Sequence, residues 1–277
     1  GIALPLERQA TVTEEDRHEK GQAIQSRLYG EGIKEAMRNV PGNMGPEVER
    51  FLTEFCFGDI YTRNGLDLKT RELLAYCILT TLEAESQLHS HLEGNLLAGN
   101  SKETLTAAVI QCLPYIGFPS AIKALNNNDI LMKTKAIVLF LLGFIPAFAQ
   151  DIPTSKTEQN MDRIERCKKN YTELFGGEAL TGQGTDPEMM DILQKFIFGE
   201  VFRTGDLDKK TRELITCTVL ATMQTLPQLN AHAKAALNVG VTPIELREAI
   251  YLCAPFIGFP KTLNALNTIN EVFKQQG

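Results

Sequence analysis

The feature that most constrains this chain is an internal repeat. Phe57-Gly58-Asp59-Ile60-Tyr61 returns as Phe198-Gly199-Glu200-Val201-Phe202, and Lys69-Thr70-Arg71-Glu72-Leu73 returns as Lys210-Thr211-Arg212-Glu213-Leu214. Gln87-Leu88-x-x-His91 matches Gln228-Leu229-x-x-His232, and Ile116-Gly117-Phe118-Pro119 matches Ile257-Gly258-Phe259-Pro260. The offset stays at 141 from Phe57 to Asn126 without a gap, and about 27 of the 70 aligned positions are identical. That period is too long for a solenoid unit, so one domain has been duplicated. The expected organisation is a first copy over 1–128, a linker over 129–150 and a second copy over 151–277.

Each copy reads as helical. Asp67 and Asp208 are N-cap candidates for helices running to about Leu82 and Met223. Ser86 starts the next helix in one copy, Pro227 suits the first turn of its equivalent, and Gly99 and Gly240 end them. Ser101 caps a third helix, and Thr242-Pro243-Ile244-Glu245 reads as a capping box. Pro114 and Pro255 fall inside apolar helical runs, which predicts a kink or break there. Ahead of each core lies a further helical stretch, with Leu28-Tyr29-Gly30 echoed by Leu174-Phe175-Gly176 at an offset of 146. No sustained period-two alternation bounded by hairpin turns occurs, so the fold class is all-α.

The chain has 277 residues, 43% of them hydrophobic, enough for a core in each copy. A net charge of −6 argues against a nucleic-acid partner, which would call for a basic stripe. The six cysteines are widely scattered and form no Cys-x-x-Cys, so they read as buried small hydrophobes rather than a metal or redox centre. A zinc ribbon or a thioredoxin-type redox pair is therefore unsupported.

Between the copies, Met132-Lys133-Thr134-Lys135 precedes an apolar run over 136–145 and then Pro146-Ala147-Phe148-Ala149. A basic start, a short apolar stretch and a small-x-small ending describe a secretory signal peptide. The run is too short for a membrane span. Two readings stand: two exported paralogues joined into one frame, giving an exported protein, or a connecting helix in a cytoplasmic one.

The residues able to do chemistry are few. Glu72 and Glu213 share apolar helical stripes, and a carboxylate in such a place is a usable proton donor or acceptor. The plainer alternative is an ordinary first-turn Glu paired with Arg71 or Arg212. His91 and His232 follow Gln87 and Gln228 by one turn, so amide and imidazole share a face. Small residues one turn onward (Gly94 and Asn95, Ala235 and Ala236) leave space for a ligand. His89 aligns with Asn230 and is expected to be dispensable; His18 is expected on a solvated helix.

Taken together, the Phe-Gly-[Asp/Glu], Leu-Asp-x-x-Thr-Arg-Glu-Leu, Gln-Leu-x-x-His and Gly-Phe-Pro-x-x-x-x-Ala-Leu-Asn strings resemble the carboxymuconolactone decarboxylase family. The resemblance covers most of both halves. It implies the all-helical fold shared with the alkylhydroperoxidase D group, whose members carry Glu-x11-Cys-x-x-Cys-x3-His. Here the Glu and His match, but the cysteine positions hold Ala84 and Gln87, and Thr225 and Gln228. Peroxide reduction needs those thiols and is disfavoured. The resemblance further implies a cofactor-independent lyase acting on a small carboxylated lactone or related acid. His91 and His232 would be acid/base groups, with Glu72 and Glu213 as partners. Arg71 and Arg212 would receive the substrate carboxylate, and Gln87 and Gln228 would donate hydrogen bonds to it. It also implies self-association, a trimer forming a pseudo-hexamer. The alternative is a non-catalytic or small-ligand-binding exported derivative.

Overall fold

The computed structural model describes residues 2–30, 32, 40–140 and 161–275, and side chains along 127–140 are not described. Among the described residues every regular element is helical, as the absence of alternating strands predicted. In the first half, α1 (Arg17–Tyr29) is followed by α2 (Gly45–Phe51), a π-helical stretch (Leu52–Tyr61), α3 (Leu68–Thr81), α4 (Glu85–Ala98) and α5 (Lys102–Phe140). The second half runs α6 (Arg163–Phe175), α7 (Pro187–Gly199), α8 (Lys209–Met223), α9 (Leu226–Asn238), α10 (Pro243–Ile257) and α11 (Phe259–Gln275).

The local signals act where they stand. Asp67 accepts from the Thr70 amide and Asp208 from the Thr211 amide, both at 2.7 Å, which satisfies first-turn donors of α3 and α8. Thr242 and Glu245 close a reciprocal capping box at α10. The Ser86 start is off by one residue, since α4 begins at Glu85 with Ala84 before it. The proline expectation needs a larger correction. The chain passes Pro114 and Pro255 in helical conformation and breaks three residues later, at Gly117 and Gly258, both with φ of 79°. Only glycine adopts that conformation without strain, so the glycine of Gly-Phe-Pro makes the break and the proline starts the next helix.

The repeated Phe-Gly dipeptide is a packing device. A Cβ on Gly58 would stand 2.5 Å from the Arg17 carbonyl oxygen, and one on Gly199 would stand 2.7 Å from that of Arg163. Glycine therefore lets the π-helical stretch lie against α1, and α7 against α6.

The halves do not fold side by side as separate balls. The two central helices, α3 and α8, pack on each other; α3 also packs on α10, and α8 on α5. One hydrophobic cluster takes residues from both, including Leu74, Ile78 and Leu105 from the first and Ile215, Leu246 and Phe273 from the second. The Gly-Phe-Pro corners reach across as well, Phe259 to Phe55 and Phe118 to Phe196. At one side of this contact the fully buried Glu248 takes Arg63 Nε at 2.7 Å and Nη2 at 3.1 Å. All six cysteines are buried and free. Helix α5 covers residues 129–140 of the expected linker; the rest of the signal-like segment, from 141, lies outside the described residues. The part of α5 over Lys102–Asn126 is apolar and long enough to cross a bilayer by composition, but here it packs against α3, α4 and α8.

Candidate active site

Helices α3 and α4 bring Glu72 and His91 together, and α8 and α9 do the same for Glu213 and His232. Both glutamates are fully buried. A carboxylate on the inward face of a central helix must find its partners inside the protein. In the second half it finds the histidine directly: His232 Nδ1 lies 2.8 Å from Glu213 Oε2. In the first half a third residue intervenes. The Tyr29 hydroxyl, at the end of α1, stands 2.7 Å from Glu72 Oε2 and 2.8 Å from His91 Nδ1, while His91 Nδ1 to Glu72 is 3.3 Å. Tyr29 donates to the carboxylate and accepts from the imidazole N–H. Burial, and next the charge on Glu72, push its phenol far above the ordinary tyrosine range, so it stays a donor. The other oxygen of each carboxylate, Glu72 Oε1 and Glu213 Oε1, is buried without a protein partner.

Room for the Tyr29 hydroxyl comes from Gly94. A Cβ there would lie 2.9 Å from Glu72 Oε2 and 3.1 Å from the hydroxyl oxygen. Asn95, next along α4, donates to the main-chain carbonyls of Glu72 and His91 and ties the two helices together. Phe57 packs against the Tyr29 ring at 5.7 Å.

Each site takes a wall from the opposite half. Phe256 of α10 meets His91 at 6.0 Å between ring centroids, and Tyr115 of α5 meets His232 edge-on at 5.8 Å. Burial, and then Glu213, push the Tyr115 phenol above its ordinary value. A cavity of about 920 Å³ opens at the first site, walled by Tyr29, His91, Gln87, Ser90, Arg27 and Phe256 among others. That volume suits a small organic molecule. Cys56 also lines it, but burial and Glu72 push its thiol up to about 12, which makes it a poor nucleophile. Among the described residues no three His, Cys, Asp or Glu side chains converge as metal ligands would.

The sequence-predicted residues are therefore placed as follows. Glu72 and His91 come together, as do Glu213 and His232; Gln87 reaches the cavity, and Gln228 stands exposed on α9. Arg71 and Arg212 go elsewhere. Both are buried, and Arg71 Nη2 donates to the Arg63 and Asn64 carbonyls. Arg212 donates to the Leu207, Val201, Thr204 and Gly205 carbonyls and to Gln111 Oε1. They hold the loops that enter α3 and α8, and Arg71 is not among the residues walling the cavity. Glu72 is not paired with its neighbouring arginine but with Tyr29, which sequence reasoning passed over. Its signal was the Leu28-Tyr29-Gly30 echo, hidden because the second copy has phenylalanine there. His18 sits on exposed α1 beside Glu54, and His89 is exposed.

Comparison with known proteins finds the same family in both halves of the chain. The profile of the carboxymuconolactone decarboxylase family matches residues 46–126 and 187–271, one match in each half. The chain is 34% identical over 90 residues to 4-carboxymuconolactone decarboxylase of Acinetobacter baylyi, covering 32% of this chain and 67% of that protein. It is 30% identical over 86 residues to nitrosuccinic acid decarboxylase of Metarhizium robertsii, covering 30% of this chain and 60% of that one. An uncharacterised 15.0 kDa protein of Paracoccus denitrificans is 33% identical over 88 residues, 31% of this chain and 65% of its own. With both halves matched, and the same Glu–His pair built by the same helices in each, the chain belongs to the carboxymuconolactone decarboxylase family as a tandem duplication.

Proposed function

We propose that the protein is an acid/base lyase that removes carbon dioxide from a small carboxylated lactone or a related acid, without a metal or organic cofactor. The observation that carries this reading is the buried carboxylate–imidazole pair, repeated in both halves and opening in the first on a cavity of small-molecule size. Two relatives bear decarboxylase names, each for a small acid.

The chemistry follows from the pair. Cleavage of the C–CO2 bond sends its electrons through the ring into the lactone carbonyl, carbon dioxide leaves, and an extended enolate remains. That enolate must be protonated at carbon. His91 holds its Nδ1–H on Tyr29, and His232 holds its own on Glu213, which leaves Nε2 in each as the nitrogen that can exchange a proton with substrate. Glu72 and Glu213 steady the imidazolium that carries the proton. Solvent then returns the proton to the imidazole. Gln87, on the cavity wall, is suited to hydrogen-bond the lactone.

The test follows loss of the lactone's ultraviolet absorbance with wild type, His91→Ala, His232→Ala and the double variant. The reading predicts turnover in wild type that a chelator leaves unchanged and that the double variant loses. Binding of small acids with no turnover on any lactone would instead favour a ligand-binding derivative.

Self-association belongs to the same reading. Val48 and Phe51 on α2, and Met189 and Ile192 at the matching positions of α7, are exposed apolar side chains that an assembly would cover. The signal-like segment makes export the location to test. A native chain left uncut after Ala149 and confined to the cytosol would contradict it.

A further inference from the structure

The two sites keep the same Glu–His pair and differ in the shell around it. Where the first has Tyr29 the second has Phe175, and where the first has Gly94 the second has Ala235. These exchanges are linked. A Cβ at position 94 would come within 3.1 Å of the Tyr29 hydroxyl, so the space filled by an oxygen in one site is available to a methyl in the other. With the hydroxyl gone, His232 closes directly on Glu213 at 2.8 Å. Further out, Ser90 and Ser86 of the first cavity correspond to Ala231 and Pro227. Arg27, exposed on the cavity wall, corresponds to Glu173, whose carboxylate is already paired with Lys209. Glu93 also reaches the first cavity, and Arg27 is the one lysine or arginine among the described residues lining it.

We propose that only the first site takes the carboxylate-bearing substrate, with Arg27 receiving the carboxylate and Tyr29 positioning His91. The inference deepens the acid/base reading and rests on it. An anion leaving water for a mostly apolar cavity needs a charged donor in return, and a guanidinium offers two parallel N–H groups to a carboxylate. The motif arginines cannot serve, because main-chain carbonyls engage Arg71 and Arg212 in the interior. At the second site the position of Arg27 carries an anion instead. Tyr29 acts through His91: it fixes the Nδ1–H and relays it to Glu72, so its loss should slow the proton step and leave binding intact.

The experiment titrates the full chain calorimetrically with 5-oxotetrahydrofuran-2-carboxylate, a saturated lactone acid that lacks the double bond needed for the extended enolate. Turnover of 4-carboxymuconolactone is measured in parallel. One equivalent is expected to bind per chain, weakened at least about tenfold by Arg27→Gln and less by Arg27→Lys, and changed less than about twofold by Glu173→Gln. Tyr29→Phe is expected to lower kcat while Kd stays within about threefold, a split that a folding defect would not produce. One Arg27-dependent equivalent without turnover would uphold the anion site and overturn the lyase reading. Turnover with two equivalents bound, or with binding indifferent to Arg27, would overturn the proposal and uphold the lyase. Neither binding nor turnover would overturn both.

Discussion

At the scale of single residues, repetition proved a guide to necessity and only sometimes to chemistry. His91 and His232 were legible because they recur where most neighbours have changed, Glu72 and Glu213 because they lie in apolar helical stripes, and each pair does meet in space. Arg71 and Arg212 recur just as faithfully for another reason, since both are held by the carbonyls of the loops that enter the central helices. Tyr29 was not legible, because the copies differ there and the difference matters only beside Gly94. Tyr29→Phe should therefore cost about 1–3 kcal/mol of stability, by stripping a buried carboxylate oxygen of its donor. Gly94→Ala alone should also destabilise by crowding the hydroxyl, and the double variant should recover part of the loss because it copies Phe175 and Ala235. Urea denaturation of the four proteins gives the coupling directly. The buried thiols give a second prediction. Burial raises Cys253, and burial together with Glu72 raises Cys56, each from 9.0 to about 12. A raised folded value means stability present below pH 9 and lost as the pH climbs toward 12, because the unfolded thiols ionise first. Unfolding free energies from urea titrations between pH 8 and 10.5 should hold steady and then fall, by up to ~1.4 kcal/mol per pH unit for each thiol.

At the scale of elements, caps were readable and breaks were not. A cap is a contract between residues three apart, so Asp67, Asp208 and the Thr242 box could be found in the chain alone. The break after Pro114 depends on which nearby residue takes the strained conformation, and Gly117 takes it at φ 79° and ψ 166°. The π-helical turn over Leu52–Tyr61 had no local signature, because its shape is set by α1 lying against Gly58. Gly117→Ala should cost about 1–3 kcal/mol from backbone strain alone. Gly58→Ala should cost more, because its Cβ meets a main-chain oxygen that cannot swing aside. Thermal and urea unfolding of both variants would rank them, and an unaffected Gly58→Ala would contradict the packing account.

At the scale of the whole molecule, the duplication was plain but its architecture was not. Two copies read from sequence suggest two independent domains, yet the central helices of both halves share one core, and each site borrows a ring, Phe256 or Tyr115, from the opposite half. Those long-range contacts depend on how the halves dock, which no local pattern encodes. If three chains assemble through the exposed faces of α2 and α7, light scattering should give about three times the 30.7 kDa of the chain, and Phe51→Glu with Ile192→Glu should return a monomer. The reaction itself is tested most directly by turning over 4-carboxymuconolactone in deuterium oxide with a chelator present. The account predicts one carbon dioxide released per product and one solvent deuterium fixed on carbon, both lost in the His91→Ala/His232→Ala protein. A wild type that releases no carbon dioxide, or a double variant that still does, would contradict it.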